Sequence, residues 1–244
     1  MVSSPHRAGL FITGTDTGVG KTVVTSALVR WFRQRDLPVT VCKPVATGAR
    51  RIGDRWVSDD TMELAKAAGA GQEWERITPL TWPEPAAPPV AARHAGATLT
   101  LETIIKAVRA RGRPGTPMLV EGVGGLLCPL TETQTVADLA AALELPLLVV
   151  ARRSLGTLNH TLLTLEAAAS RNLYVAGLVV NETAPRDGLA DESNVEELRR
   201  RISVPILAVS PHQDQSPPDA LPALAGVDWQ RLSLSVRHES DCLS

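Results

Sequence analysis

Apolar residues along the chain fall into short runs, separated by longer stretches in which they recur every three or four positions. Residues 9–13 (GLFIT) form one compact run, and 38–42, 118–121, 147–151 (LLVVA), 175–180 (VAGLVV) and 205–209 repeat the pattern. Such runs predict strands. Residues 21–34 read instead as a helix, with Val24, Ala27, Leu28 and Trp31 at helical spacing. Helical patterns also fill 58–68, 100–110, 136–143, 158–169 and 192–201. Strands alternating with helices predict an α/β fold of three layers, α/β/α, around a mostly parallel sheet. In such sheets ligands sit beyond the carboxyl ends of the strands, so the residues following each apolar run carry the functional interest.

Two stretches depart from this rhythm. Residues 78–90 hold five prolines and read as an ordered loop or lid rather than an element. Residues 211–220 are polar and proline-rich, and 211–244 read as a weakly ordered tail with a short helix near 221–232. No repeat or linker divides the chain, so residues 1–244 read as a single domain, long enough for a real core.

Composition narrows the partners. A net charge of −1 carries no electrostatic footprint for nucleic acid or an anionic membrane. No stretch approaches the ~20 apolar residues of a membrane span. Residues 1–9 resemble no signal segment, and the three cysteines show no metal-ligand spacing, which suggests reduced thiols in a cytoplasmic protein. The chain has twenty-one arginines but only four lysines, Lys21, Lys43, Lys66 and Lys106. Where arginine is the routine surface cation, each remaining lysine merits a chemical reason.

Lys21 has one. Residues 14–22, GTDTGVGKT, join the first strand to the first helix and end in Gly-Lys-Thr, the context of a phosphate-binding P-loop. Small residues let backbone N–H groups converge on phosphate oxygens, and the helix dipole adds positive potential. Gly18, Val19, Gly20, Lys21 and Thr22 form the predicted nucleotide cradle, with Lys21 reaching the β- and γ-phosphates and the Thr22 hydroxyl ligating magnesium. The loop is irregular: its first glycine is Gly14 rather than residue 15, and Asp16 and Thr17 carry functional groups. Asp16 stands where partition ATPases of the deviant-loop kind place a second lysine, which argues against that class.

Further candidates follow later strands. Lys43-Pro44-Val45-Ala46-Thr47-Gly48 succeeds the second run. Glu121 ends a buried strand before Gly-Val-Gly-Gly, and a carboxylate there needs a metal or an ion pair, such as an arginine. Asp59 and Asp60 open a helix, where an aspartate ordinarily serves as a cap. Residues 154–160 lead into another helix, whose free N–H groups suit a carboxylate. Asn181 follows the fifth run, and either a turn or a base contact would suit it.

Together these blocks resemble the dethiobiotin synthetase family, across roughly residues 9–211. The resemblance implies a P-loop NTPase type of fold, with ATP and magnesium as cofactors. It implies Thr22, Asp60 and Glu121 as metal ligands, with Asp59 left as the helix cap. Lys21, Lys43 and Thr17 become the catalytic set. Thr17, Lys43, Thr47, Gly124, Gly125 and Asn159 become contacts of the diamine, carbamate and carboxylate, and Asn181 pairs with adenine. His160 and His94 are expected to pack rather than react. The family continues Asn181 with an aspartate where this chain has Glu182. Asn159 would act from a partner subunit, which implies a homodimer with active sites near its interface. The implied reaction is ATP-dependent closure of 7,8-diaminononanoate with carbon dioxide, through a carbamate and a carbamic–phosphoric anhydride, to dethiobiotin. A related amidoligase would share the loop but also need a glutaminase domain with a Cys–His site, for which this chain shows no sequence.

Overall fold

The computed structural model describes residues 8–212 and 221–234. In chain order its first half runs β1 (Gly9–Gly14), α1 (Lys21–Arg33), β2 (Thr40–Cys42), β3 (Val45–Ala46), β4 (Arg50–Ile52), β5 (Arg55–Val57), α2 (Asp59–Ala68), α3 (Trp74–Ile77), β6 (Leu80–Thr81) and α4 (Pro88–His94). It continues with α5 (Leu101–Arg109), β7 (Met118–Glu121), α6 (Val136–Leu143), β8 (Leu147–Arg152), α7 (Thr157–Ala169), β9 (Val175–Asn181), α8 (Leu189–Arg201), β10 (Ile206–Ser210) and, after a short 3-10 turn, α9 (Trp229–Leu234).

Six strands form the central sheet in the order β10-β9-β8-β1-β7-β2. Every pairing in it is parallel. The pleat sends alternate residues to opposite faces. Leu10 and Ile12 of β1 pack with Val24, Leu28 and Phe32 of α1, while Phe11 joins Ile104, Leu139 and Leu143 on the other side. Both faces are therefore covered, which is why these strands read as unbroken apolar runs. Val24 and Leu28 are fully buried as their spacing predicts; Trp31 lies at the core's edge beneath Arg35, 4.2 Å from guanidinium carbon to ring centre.

The register puts the chemistry on one edge. Ile12 of β1 lies opposite Glu121 of β7, Cys42 of β2 opposite Val120, and Gly14 opposite Val150 of β8. The carboxyl ends of β1, β7 and β2 thus deliver the glycine-rich loop, Glu121 and Lys43 to neighbouring positions.

Three expectations change. The proline-rich stretch 78–90 is not free of elements: β6 pairs in parallel with β3, Val45 to Leu80 and Ala46 to Thr81, and α4 begins at Pro88. Proline is well tolerated in a first helical turn, where its missing N–H would have had no partner. The arginine-rich stretch 50–57 forms a hairpin of β4 and β5 that was not expected. Within the expected weak tail, residues 221–234 are packed: Trp229 is fully buried and its indole Nε1 donates to the Leu224 carbonyl at 2.8 Å. Residues 213–220 and 235–244 of that tail lie outside the described residues.

Candidate active site

The loop between β1 and α1 closes over Gly20, whose φ of 93° falls in the left-handed region and which caps α1 without any side-chain hydrogen bond. Only glycine fits, because an added Cβ would stand 2.1 Å from Asn181 Nδ2. The N–H groups opening α1 therefore face outward with no competing cap. Lys21 is buried, and its Nζ donates to the Asp16 carbonyl at 3.0 Å, bending back across the loop. The Asp16 carboxylate in turn accepts the Thr17 N–H at 2.7 Å, which fixes the exposed Thr17 at the loop's rim.

Beneath the loop lies a charged cluster. Glu121 is fully buried; its Oε1 accepts from Thr22 Oγ1 at 2.7 Å and from Lys43 Nζ at 2.8 Å. Lys43, also buried, donates a second hydrogen bond to Asp60 Oδ2. The ion pair considered for Glu121 is thus made with a lysine, not an arginine. Burial disfavours the Lys43 charge, but Glu121 and Asp60 outweigh it and hold its pKa above the ordinary lysine value. Burial likewise acts to raise Asp60, yet Lys43, the Thr22 hydroxyl and Lys21 together draw it below the ordinary carboxylate range. Lys21 differs: burial dominates, Lys43 adds repulsion, and its pKa falls. An anion arriving beside Lys21 would act against that fall.

The two aspartates at the start of α2 separate cleanly. Ser58 caps the helix, its Oγ accepting the Thr61 N–H at 3.1 Å, so the expectation that Asp59 is the cap is corrected. Asp59 lies one position further on, largely exposed, and pairs with Arg50 at 3.3 Å. Asp60 turns inward to Lys43.

Over this cluster opens a cleft of about 670 Å³. Thr17, Gly18, Gly20, Lys21, Thr22, Lys43, Thr47, Asp60 and Gly124 line it, so most of the residues singled out from sequence meet at one place. Gly124, at φ 63°, leaves room that a Cβ would fill against Cys128 Sγ, 2.9 Å away. Gly125 lies behind it, against the Gly14 and Thr15 carbonyls, and supports the loop. Val19 is buried; its carbonyl accepts from Asn181 Nδ2 at 3.1 Å. Asn181 therefore braces the loop with one amide hydrogen, a role not visible in sequence. Asn159 is exposed on α7 and is not among the residues lining the cleft.

Comparison with known proteins was decisive. A family model described as an AAA domain matches residues 8–219. The ATP-dependent dethiobiotin synthetase BioD of Anaeromyxobacter dehalogenans (strain 2CP-C) is 46% identical over 203 residues, 83% of this chain and 89% of that protein. The protein of the same name from Thermodesulfovibrio yellowstonii is 37% identical over 214 residues, 84% of this chain and 89% of its own length. The chain belongs to the dethiobiotin synthetase family. Solved structures agree on the fold alone: chloroplast FtsY from Physcomitrella patens is 17% identical with a TM-score of 0.53, covering 96% of this chain and 66% of that one. Thermotoga maritima FtsY gives 15% and 0.51, covering 96% and 70%.

Family membership brings ATP and magnesium, and the residues fit the metal. Glu121 Oε2 is buried without a hydrogen-bond partner, an oxygen that a hard cation could satisfy. No group of three or more His, Cys, Asp and Glu side chains gathers among the described residues. Two carboxylates and a hydroxyl suit magnesium, which keeps waters and phosphate oxygens in its shell.

The cleft also has residues that sequence reading missed. Pro85, Ala86, Ala87 and Pro88 form an apolar wall, with Val123 also contributing apolar surface. Their prolines suggested a lid, but nothing in their pattern identified which carbons face the ligand. Cys128 lines the cleft as well, and burial pushes its thiol pKa up, so it is a neutral lining group and not a nucleophile. His94 is mostly exposed, 3.5 Å from Glu84, and His160 accepts from Thr164 Oγ1 through its backbone carbonyl, so neither is brought to the cleft.

Proposed function

We propose that this chain catalyses the ATP-dependent carboxylation and ring closure of 7,8-diaminononanoate with carbon dioxide, giving dethiobiotin, ADP and phosphate. One observation carries the residue assignment: Lys21, Lys43, Thr22, Asp60 and Glu121 converge at the carboxyl ends of β1, β2 and β7 on a single cleft. Lys21 and the N–H groups of 18–22 bind the nucleotide's phosphates. Asn181 serves the adenine while holding Val19. Thr22, Asp60 and Glu121 hold magnesium, which when bound screens the phosphate charges.

Lys43 binds the carbamate and the γ-phosphoryl oxygens, and Thr17, Thr47, Gly124 and Gly125 position the diamine. The apolar wall at 85–88 provides a surface for methylene groups. The carbamate oxygen attacks the γ-phosphorus and ADP leaves; the second amine then attacks the carbamoyl carbon and phosphate leaves. No strong protein base is required, so the chain's work is positioning and charge neutralisation.

The substrate's carboxylate is held at the start of α7 of a second copy. Gly156 opens that helix at φ 92° with no side-chain cap, and Asn159 is exposed beside it. Leu155, Leu162 and Leu163 expose apolar surface around the same turn, which supports a homodimer. No helix among the described residues is long and apolar enough to cross a membrane. We place the activity in the cytoplasm.

Purified protein is expected to incorporate labelled bicarbonate into dethiobiotin only when diamine, ATP and magnesium are all present. ATP binding without any turnover of the diamine would defeat the assignment.

A further inference from the structure

The charged cluster holds one more relation, between Lys43 and the metal. Lys43 Nζ lies between Glu121 Oε1, at 2.8 Å, and Asp60 Oδ2, so it sits between the two carboxylates assigned above to the cation. Thr22 Oγ1, the third proposed ligand, donates to the same Glu121 oxygen at 2.7 Å and keeps its own lone pairs. Of the three proposed ligands, the two carboxylates are the ones bridged by the ammonium. Lys21, the other lysine of the cleft, is held by the Asp16 carbonyl, so the two cations have distinct seats.

A divalent ion held by the same two carboxylates, at ~2.1 Å from their oxygens, would compete with this ammonium for their negative charge. Their separation would be a few ångströms in a largely buried site, where like charges repel strongly. Glu121 contributes a further hint: its Oε2 is buried and unpartnered, so the cluster balances charge while leaving one acceptor unused.

We propose that Lys43 and the divalent cation are alternative occupants of the same carboxylate pair, so that metal loading expels the lysine ammonium toward the cleft. This rests on the assignment of Thr22, Asp60 and Glu121 as metal ligands. Its consequence is an order of events. A divalent ion alone must displace a buried, doubly hydrogen-bonded ammonium and binds weakly. An ion arriving with a nucleoside triphosphate brings phosphoryl oxygens that give the displaced ammonium a new partner. Lys43 thereby reaches the phosphoryl group only when the metal is in place, which makes it a reporter of correct loading as well as a charge in the site.

The test is titration of the full-length protein with Mn²⁺, free ion being followed by its paramagnetic resonance signal. Wild type without nucleotide should bind Mn²⁺ weakly. Folded Lys43→Met, also without nucleotide, should bind it roughly ten- to a hundredfold more tightly, because the stranded carboxylates now want a cation. Equal affinity in the two proteins would overturn the exchange. If Lys43→Met does not fold, wild type decides alone: Mn²⁺ binding without nucleotide as tight as with a non-hydrolysable ATP analogue would overturn it, and a large gain with the analogue supports it. Failure of the underlying ligand assignment looks different, since Glu121→Gln would then leave Mn²⁺ affinity in the analogue complex unchanged.

Discussion

The two ends of the proposed substrate path are built in opposite ways. At the carboxyl ends of β1, β2 and β7, Lys21, Lys43, Asp60 and Glu121 all find partners inside the chain, and the two lysines and Glu121 are buried. At the start of α7, Leu155 is 85% exposed, Leu163 is 56% exposed, and the helix opens on a glycine with no side-chain cap. One end has its polar groups bound to each other before any ligand is considered. The other presents apolar surface and free donors outward. On the function proposed above, phosphate and metal chemistry is assembled within one chain, whereas carboxylate recognition is assigned to the meeting of two copies.

The most severe way to break the inner end is Lys21→Ala. Its Nζ makes its hydrogen bond to a loop carbonyl, that of Asp16, so the melting temperature should change little while turnover falls by on the order of a thousandfold or more. A variant that keeps most of its activity would remove Lys21 from the site. The outer end is broken by Leu155→Asp combined with Leu163→Asp. These exposed positions should cost the monomer well under about 1 kcal/mol, yet they should shift the chain to monomers in sedimentation and raise KM for the diamine more than for ATP. Unchanged sedimentation would detach α7 from any interface.

The smallest effect separates Asp60 from its neighbours. Because Asp60 titrates below its ordinary value of 3.8, its ion pair stabilises the fold above that pH, and the contribution is lost as pH falls through the depressed value. Wild type should therefore lose stability more steeply than Asp60→Asn as pH drops below about 4. Its side chain is 49% exposed, so solvent screening limits the difference to a few tenths to about 1 kcal/mol. Parallel acid limbs would show that the pair contributes nothing to folding.

Sequence carried the frame of this molecule well, for a physical reason. Strands covered on both faces must be apolar at nearly every position, so β1, β7, β8 and β9 announce themselves. The two-residue strands β3 and β6 give no period to read, and the β4–β5 hairpin hides behind Arg50, Arg51 and Arg55 because both its faces tolerate water. At the site, Lys43 and Glu121 stood out because a lysine is scarce in this chain and a strand-end carboxylate is costly. The resemblance set Asp60 apart from Asp59, but that Ser58 rather than Asp59 caps the helix rests on a hydroxyl orientation no pattern reveals. The bracing role of Asn181 depends on a partner 162 residues away, a distance no local pattern spans.

The fully buried Trp229 ties the last described helix to the first strand. Trp229 shares its core cluster with Leu10 and Ile12, and α9 rests against β1. The strand that launches the phosphate loop thus has its packing completed by an indole from the last described helix. A Trp229→Ala chain keeps the loop's residues but lacks the large side chain packed with Leu10 and Ile12, a loss on the scale of about 3–5 kcal/mol. The strand on which the phosphate loop is hung is therefore held in place by a segment more remote in sequence than any other element of the site.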